Sequence, residues 1–418
     1  MKHKFSTAVT TALLLGLCGL TSTVLADSLP TPPSTNLPPV DAGKLSAFLL
    51  KLQYIGEAWN NNGGAKDGGV YMQGVDVSLN VDAEKLGLPG ARFFFEGFYV
   101  AGESIGLNAG TFSPPSALDA LFSNDEVFRF YQAFYEQQID NTNLVFGFYD
   151  LQQQLGALRP SELFFNRALG LNLPLTLNGY FAGTNSPSIY PYSTLGMRVK
   201  QKFSDEWTAK LAVLNGMADN PEPPNHNDLI INSHTGILGV GEIDYTPADG
   251  TKFMAGYWNS TAKFTSWELN PDFTRRQYYG ADGFYFGAAT RLFTIDGNRK
   301  VDGFFNWGIS DEGATVVDNT VNAGLNITGL LADRPEDKFG IAVSVAHVAE
   351  PFRTIQALGG ITSPEIETAI EVTYRARLTD WLTIQPDFQY IIDPAVALGS
   401  KEEFIFGVHF EIGRSLVF

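Results

Sequence analysis

The chain has 418 residues, with 28 Lys and Arg against 45 Asp and Glu, and its formal net charge of −17 excludes a basic surface for nucleic acid. Charged residues make up only 17% of the chain and aromatic residues 13%, an apolar balance against the roughly 25% charged residues of ordinary soluble domains. Beyond the N-terminus no stretch approaches the roughly 18 consecutive apolar residues of a membrane helix, so a membrane-spanning reading has to rest on strands.

In chain order, Lys2, His3 and Lys4 precede an apolar run from Ala8 to Leu20 and a small-residue pattern ending at Ala26, which reads as a signal peptide over residues 1–26. Cleavage there removes Cys18, the one cysteine of the sequence, and leaves 26 basic against 45 acidic residues, a charge of −19. The mature chain then has no thiol, disulfide or cysteine-based metal site. Leu17 is too bulky for the usual lipoprotein cleavage pattern, which argues against lipid attachment. Residues 27–44 are rich in proline (Pro30, Pro32, Pro33, Pro38, Pro39) and are expected to form an extended periplasmic leader.

From residue 45 to 418 apolar and polar residues alternate, the period of a strand with one apolar and one wet face. Tyr71, Val75, Val77 and Leu79 share one face and Gly74, Asp76, Ser78 and Asn80 the other. Ile366, Thr368, Ile370, Val372 and Tyr374 likewise oppose Glu367, Glu371, Thr373, Arg375 and Arg377. The predicted strands are 45–56, 70–81, 91–101, 129–139, 142–150, 193–203, 207–216, 236–246, 251–259, 283–294, 300–310, 319–331, 338–348, 365–378, 381–391 and 402–418. Their connections alternate between short turns such as Asp140-Asn141 and Thr379-Asp380 and mostly longer loops. The fold expected is all-β, a transmembrane antiparallel β-barrel of 16 strands, closed because lipid offers nothing to bond an open sheet edge. A soluble β-sandwich or β-helix would also alternate, but its connections need not sort into a short and a long rim.

Pro386 cannot donate to a strand ladder, so a local bulge is expected there. Trp207, Trp258, Trp307 and Trp381 near segment ends are expected in aromatic girdles at the headgroups. The last segment sets Phe404, Phe406, Val408, Phe410, Ile412, Leu416 and Phe418 on its outward face, and its terminal Phe resembles the signal by which the outer-membrane assembly machinery recognises barrels.

The stretch ETAIEVTYRARLTDWLTIQPDFQYIIDP (Glu367 to Pro394) resembles the C-terminal signature of the carbohydrate-selective porins of the OprB type. Upstream, GVYMQGVDVSLNVDAEKL, NTNLVFGFYDLQ and SPSIYPYSTLGMRVKQKFSDEW are similar to further stations of that family, in the same order. The resemblance implies a sixteen-stranded porin in the outer membrane of a Gram-negative bacterium, passing glucose and other small sugars by diffusion. No individual sugar contact is carried over from the family.

The residues themselves supply candidates. A sugar presents neutral hydroxyls, so a selective constriction needs donors and acceptors together, and Arg or Lys beside Glu or Asp supplies both. Arg92, Glu96, Arg198, Lys200, Glu371, Arg375 and Asp387 lie near mid-strand on the polar face and form the candidate substrate-binding set at the constriction. The longest loop, Leu151 to Tyr192, is the candidate constriction loop, carrying Arg159, Glu162 and Arg167. Its Phe164 and Phe165 read as packing against the wall ahead of stacking on a sugar. The same charges could simply keep a general or cation-preferring diffusion pore wet, and that is the alternative. After removal of the signal the histidines are His226, His234, His347 and His409, without GxSxG, HExxH or paired-His spacing, so no enzyme, catalytic residue, metal or cofactor is expected. The partners expected are small sugars, outer-membrane lipid and lipopolysaccharide, and the assembly machinery, with no nucleic acid; monomer and homo-oligomer both stay open.

Overall fold

The computed structural model describes residues 47–417 apart from 113, 117, 120–125, 171–186, 219–234, 297–298 and 397–399. The expected signal peptide and leader, His226, His234 and Phe418 lie outside the described residues. Sixteen strands run in order: β1 (Phe48–Gly63), β2 (Gly68–Asp82), β3 (Ala91–Gly102), β4 (Val127–Ile139), β5 (Thr142–Tyr149), β6 (Thr194–Lys202), β7 (Trp207–Asn215) and β8 (Ile237–Tyr245) form the first half. The second half is β9 (Lys252–Leu269), β10 (Arg275–Asp296), β11 (Arg299–Ser310), β12 (Val317–Thr328), β13 (Lys338–Val348), β14 (Ile366–Arg377), β15 (Leu382–Ile392) and β16 (Glu402–Val417). Each pairs antiparallel with its neighbours in sequence, and β1 pairs with β16, which closes the barrel.

The alternation sorts as the physics requires. Tyr71, Val75 and Val77 on β2 and Phe404, Phe406, Val408 and Ile412 on β16 are exposed on the outside, while Ser78, Glu403 and Ile405 turn inward and are buried. In a bilayer that outer apolar set meets lipid, and closure of the ring through the β1–β16 pairing leaves no strand edge unpaired.

Four local expectations change. First, β9 and β10 continue past 251–259 and 283–294, pairing Lys263 with Tyr279 and Arg275 with Leu269. The apolar alternation stops where the strands leave lipid, whereas the backbone pairing does not. Second, the 57–69 connection shrinks to 64–67, because Asn60 and Asn61 pair with Gly69 and Gly68 as a ladder of polar residues. Third, Pro386 makes no bulge. The β14–β15 ladder keeps its register from Thr373↔Asp387 to Ala376↔Ile384 and leaves the two pairs between them unmade, while Pro386 stays opposite Val408 on β16. The missing N–H therefore costs pairing on one side only. Fourth, Trp258 is not in a girdle: it points into the barrel and is fully buried, whereas Trp207 and Trp381 stay about half exposed outside. Tyr257 and Trp258 are adjacent aromatics, and period-two reasoning cannot choose which faces in.

The bore is not polar throughout. Leu151, Leu155, Leu158, Leu163, Phe164 and Leu169 from the β5–β6 loop pack with inward Leu214, Leu238, Trp258, Tyr285 and Phe304. A second cluster joins Trp59, Met72 and Phe98 to Ile105, Leu118 and Phe165 from the loops. At roughly 1.5–3 kcal/mol per fully buried large aliphatic or Phe side chain, this packing is what draws the loops inward.

Candidate functional site: a loop across the bore and the charges beside it

The β5–β6 loop starts at Asp150, whose carboxylate caps the short helix Leu151–Gln154 by accepting from the Gln152 amide at 2.8 Å. Burial lifts the Asp150 carboxyl to about 6, against the Tyr131 hydroxyl and the Gln152 amide, which favour its charged form. Past Gly156, a 3₁₀ turn (Arg159–Leu163) leads to Phe164 and Phe165, and a second short turn (Arg167–Gly170) follows.

Inward side chains of five strands hold this path. Glu242 on β8 accepts from the Gly156 amide at 2.6 Å, and Lys252 on β9 donates to the Ala157 carbonyl at 2.9 Å. On β12, Asn326 and Asn322 donate to the carbonyls of Pro160 (2.6 Å) and Ala168 (2.8 Å). On β15, Gln385 donates to the Leu163 carbonyl at 2.8 Å. On β14, the two oxygens of Glu371 accept from the amides of Phe165 and Asn166 at 2.7 and 2.8 Å. The loop therefore leaves one wall and is fastened to the far one. Gly340 on β13 permits the contact, since a Cβ there would lie 2.8 Å from both Leu163 and Phe164.

The sequence-predicted residues divide accordingly. Glu371 is fully buried beneath the loop, and Asp387 is buried beside it, accepting from Gln389 at 3.0 Å. Arg198 is buried too, with its guanidinium on Gln154 Oε1 at 2.8 Å and the Asn143 carbonyl at 3.0 Å, so it fastens the start of the loop. Glu96 is half-buried and accepts from Gln132. Arg167 stays inside the loop bundle, stacked on the Tyr190 ring at 4.9 Å and bonded to the Tyr190 carbonyl. Phe164 packs on Phe304 at 5.8 Å, and Phe165 packs on Trp59 at 5.9 Å and on His409 at 4.8 Å. Neither ring is free to stack on a solute.

The remaining predicted residues are more accessible, and Arg92, Lys200 and Arg375 lie within three residues of the ends of β3, β6 and β14 rather than near mid-strand. Lys200, Arg159 and Glu162 are exposed. Arg92 pairs with Glu136, and Arg375 pairs with Glu411 at 2.9 Å, both partly open. Glu162 sits in the field of Arg159, Lys338 and Lys252. Sequence reasoning missed Lys210, which bridges Glu242 at 2.6 Å and Asp244 at 2.8 Å, and missed Lys252, Lys338 and Glu411. Parity could have found the first group: Glu242 and Asp244 flank Ile243, which is exposed outside.

Open cationic donors therefore face open carboxylate acceptors at the side of a loop that narrows a sixteen-stranded barrel. The family model described as carbohydrate-selective porin, OprB family, matches residues 66–413. The chain belongs to this family. It is 25% identical to Porin B of Pseudomonas aeruginosa over 94% of this chain and 96% of that protein. It is 23% identical to the putative porin QuiX of Acinetobacter baylyi over 68% and 67% of the two chains. The fold is similar to the high-pH structure of Pseudomonas putida OprB, with a TM-score of 0.77 and 21% identity over 88% of this chain and 94% of that one.

The porin is thus a sugar-selective β-barrel of the outer membrane, and its exposed apolar belt is its lipid contact. His347 bonds Asp318 at 2.6 Å near the end of β13. His409 lies on the inward face of β16 among carboxylates, with no serine or cysteine on the ring nitrogens among the described residues.

Proposed function

We propose that this porin passes glucose and other small sugars by passive diffusion through a constriction lined by Arg92, Lys200 and Arg375 on the wall and Arg159 and Glu162 on the loop. Glu371, Arg198 and Arg167 are fixings that hold the loop, Asp387 orients Gln389, which accepts from Asn166 of the loop, and Glu96 braces the wall. The protein works as a channel and not as an enzyme. Residues 1–26 direct export, residues 27–44 form a periplasmic leader, lipid and lipopolysaccharide surround the belt, and the assembly machinery inserts the chain. The observation that carries the reading is the Glu371 bond to the loop backbone, which fixes the loop across the bore and leaves the neighbouring charges open. A sugar entering there exchanges water for guanidinium and ammonium donors and carboxylate acceptors.

Planar-bilayer recordings test it. Glucose reduces the wild-type ion current in a saturable way, and Arg375→Ala raises the half-blocking concentration several-fold, the scale of one hydrogen bond of about 1 kcal/mol in a wet site. A general or cation-preferring pore gives linear, unsaturable behaviour in both, with only ion preference altered.

A further inference from the structure

One set of inward groups holds the β5–β6 loop by no hydrogen bond among the described residues. On the inward face, His409 of β16 is flanked by two carboxylates: its Nδ1 lies 2.8 Å from Glu57 Oε1 on β1, and its Nε2 lies 3.1 Å from Glu411 Oε1 on its own strand. The other oxygen of Glu57 accepts from Trp59 Nε1 at 2.7 Å and from Ser116 Oγ in the β3–β4 loop. The other oxygen of Glu411 accepts from Arg375 at 2.9 Å. Side-chain exposure rises along this row, from 0% at Glu57 to 6% at His409, 18% at Glu411 and 21% at Arg375, so the row runs from the sealed wall to the open bore. Phe165 covers the ring at 4.8 Å, and opposite it on β15 stands the uncharged Gln385. Among the described residues Glu57 and Glu411 are the charged groups facing the ring.

A neutral imidazole has one donor and one acceptor, whereas both nitrogens here face carboxylate oxygens; only the imidazolium satisfies both. We propose that His409, as an imidazolium clamped between Glu57 and Glu411, is a positioning residue that sets the Arg375 guanidinium for sugar. It touches no sugar itself. Glu411 is the intermediary: held at one oxygen by His409, it holds Arg375 with the other. Loss of the ring proton turns one nitrogen lone pair toward a carboxylate, loosens Glu411 and frees Arg375, so sugar binding weakens as pH rises. The proposal rests on the reading of Arg375 as a sugar contact.

The test is a double-mutant cycle in planar bilayers: the glucose half-blocking concentration of wild type, His409→Gln, Arg375→Ala and the double variant, each from pH 6 to pH 10. His409→Gln is expected to raise it several-fold, nearly as far as Arg375→Ala, and the double variant is expected to be no worse than Arg375→Ala. Wild type climbs toward the His409→Gln value with rising pH, a step that His409→Gln lacks. Additive losses, or a His409→Gln profile that superimposes on wild type, would overturn the proposal. If Arg375→Ala itself leaves glucose block unchanged, the sugar-contact reading fails and takes this one with it, an outcome distinct from additivity. Should His409→Gln not insert, Glu411→Gln cuts the same link nearer the open bore and carries the same expectations.

Discussion

Glu371 and Glu411 are both carboxylates on inward strand positions, yet their surroundings give them opposite uses. Glu371 spends both oxygens on the backbone amides of Phe165 and Asn166 and is sealed from the bore. Glu411 divides its oxygens between Arg375 and His409 and stays partly open. Removing an acceptor from buried amides costs about 1–3 kcal/mol for each donor left unpaired, more than a wet contact contributes. Glu371→Ala should therefore release the loop from β14: single-channel conductance rises and glucose block weakens together. Arg375→Ala should weaken block with conductance little changed. Wild-type conductance and block in Glu371→Ala would show that this carboxylate does not hold the loop.

At the scale of the strand, legibility follows what each face meets. Lipid demands apolar residues on every outward face, so the sixteen strands and their order could be read from Tyr71, Val75 and Val77 on β2 or from Phe404 to Ile412 on β16. The inward face obeys no single rule. It is polar where it meets water, as at Asn80, and apolar where a loop covers it, as at Trp59, Met72 and Trp258. Trp258 thus has the packing role that its neighbour Tyr257, exposed on the outside, lacks. Trp258→Ala should open a cavity in the loop-filled bore and cost about 3–5 kcal/mol. It should lower the temperature at which the folded barrel shifts to its heat-modified gel position, and lower it further than Trp207→Ala does. Equal shifts in the two variants would contradict the inward packing.

In the whole molecule, the candidate site was legible only by residue type. Arg92, Lys200 and Arg375 could be placed on the inward parity, but whether Glu371, Asp387 and Arg198 reach the bore is decided by where the loop after Tyr149 lands, and no period encodes that landing. It is set by single matches between inward side chains and loop backbone: Glu242 with Gly156, Asn326 with Pro160, Gln385 with Leu163. The overall charge of −17 is an equally poor guide, because the Lys200, Lys252, Lys338, Arg159 and Arg375 side chains collect at this one level of a negatively charged protein. On the proposed reading of the constriction, selectivity comes from that local pairing of donors with acceptors, and bulk charge has little part in it. The most direct measurement is the swelling of liposomes containing the purified porin, comparing glucose with a neutral non-carbohydrate solute of similar size over a range of concentrations. Glucose is expected to enter faster, with a rate that saturates as concentration rises; entry ordered by solute size alone, linear in concentration for both, would contradict a sugar-selective constriction.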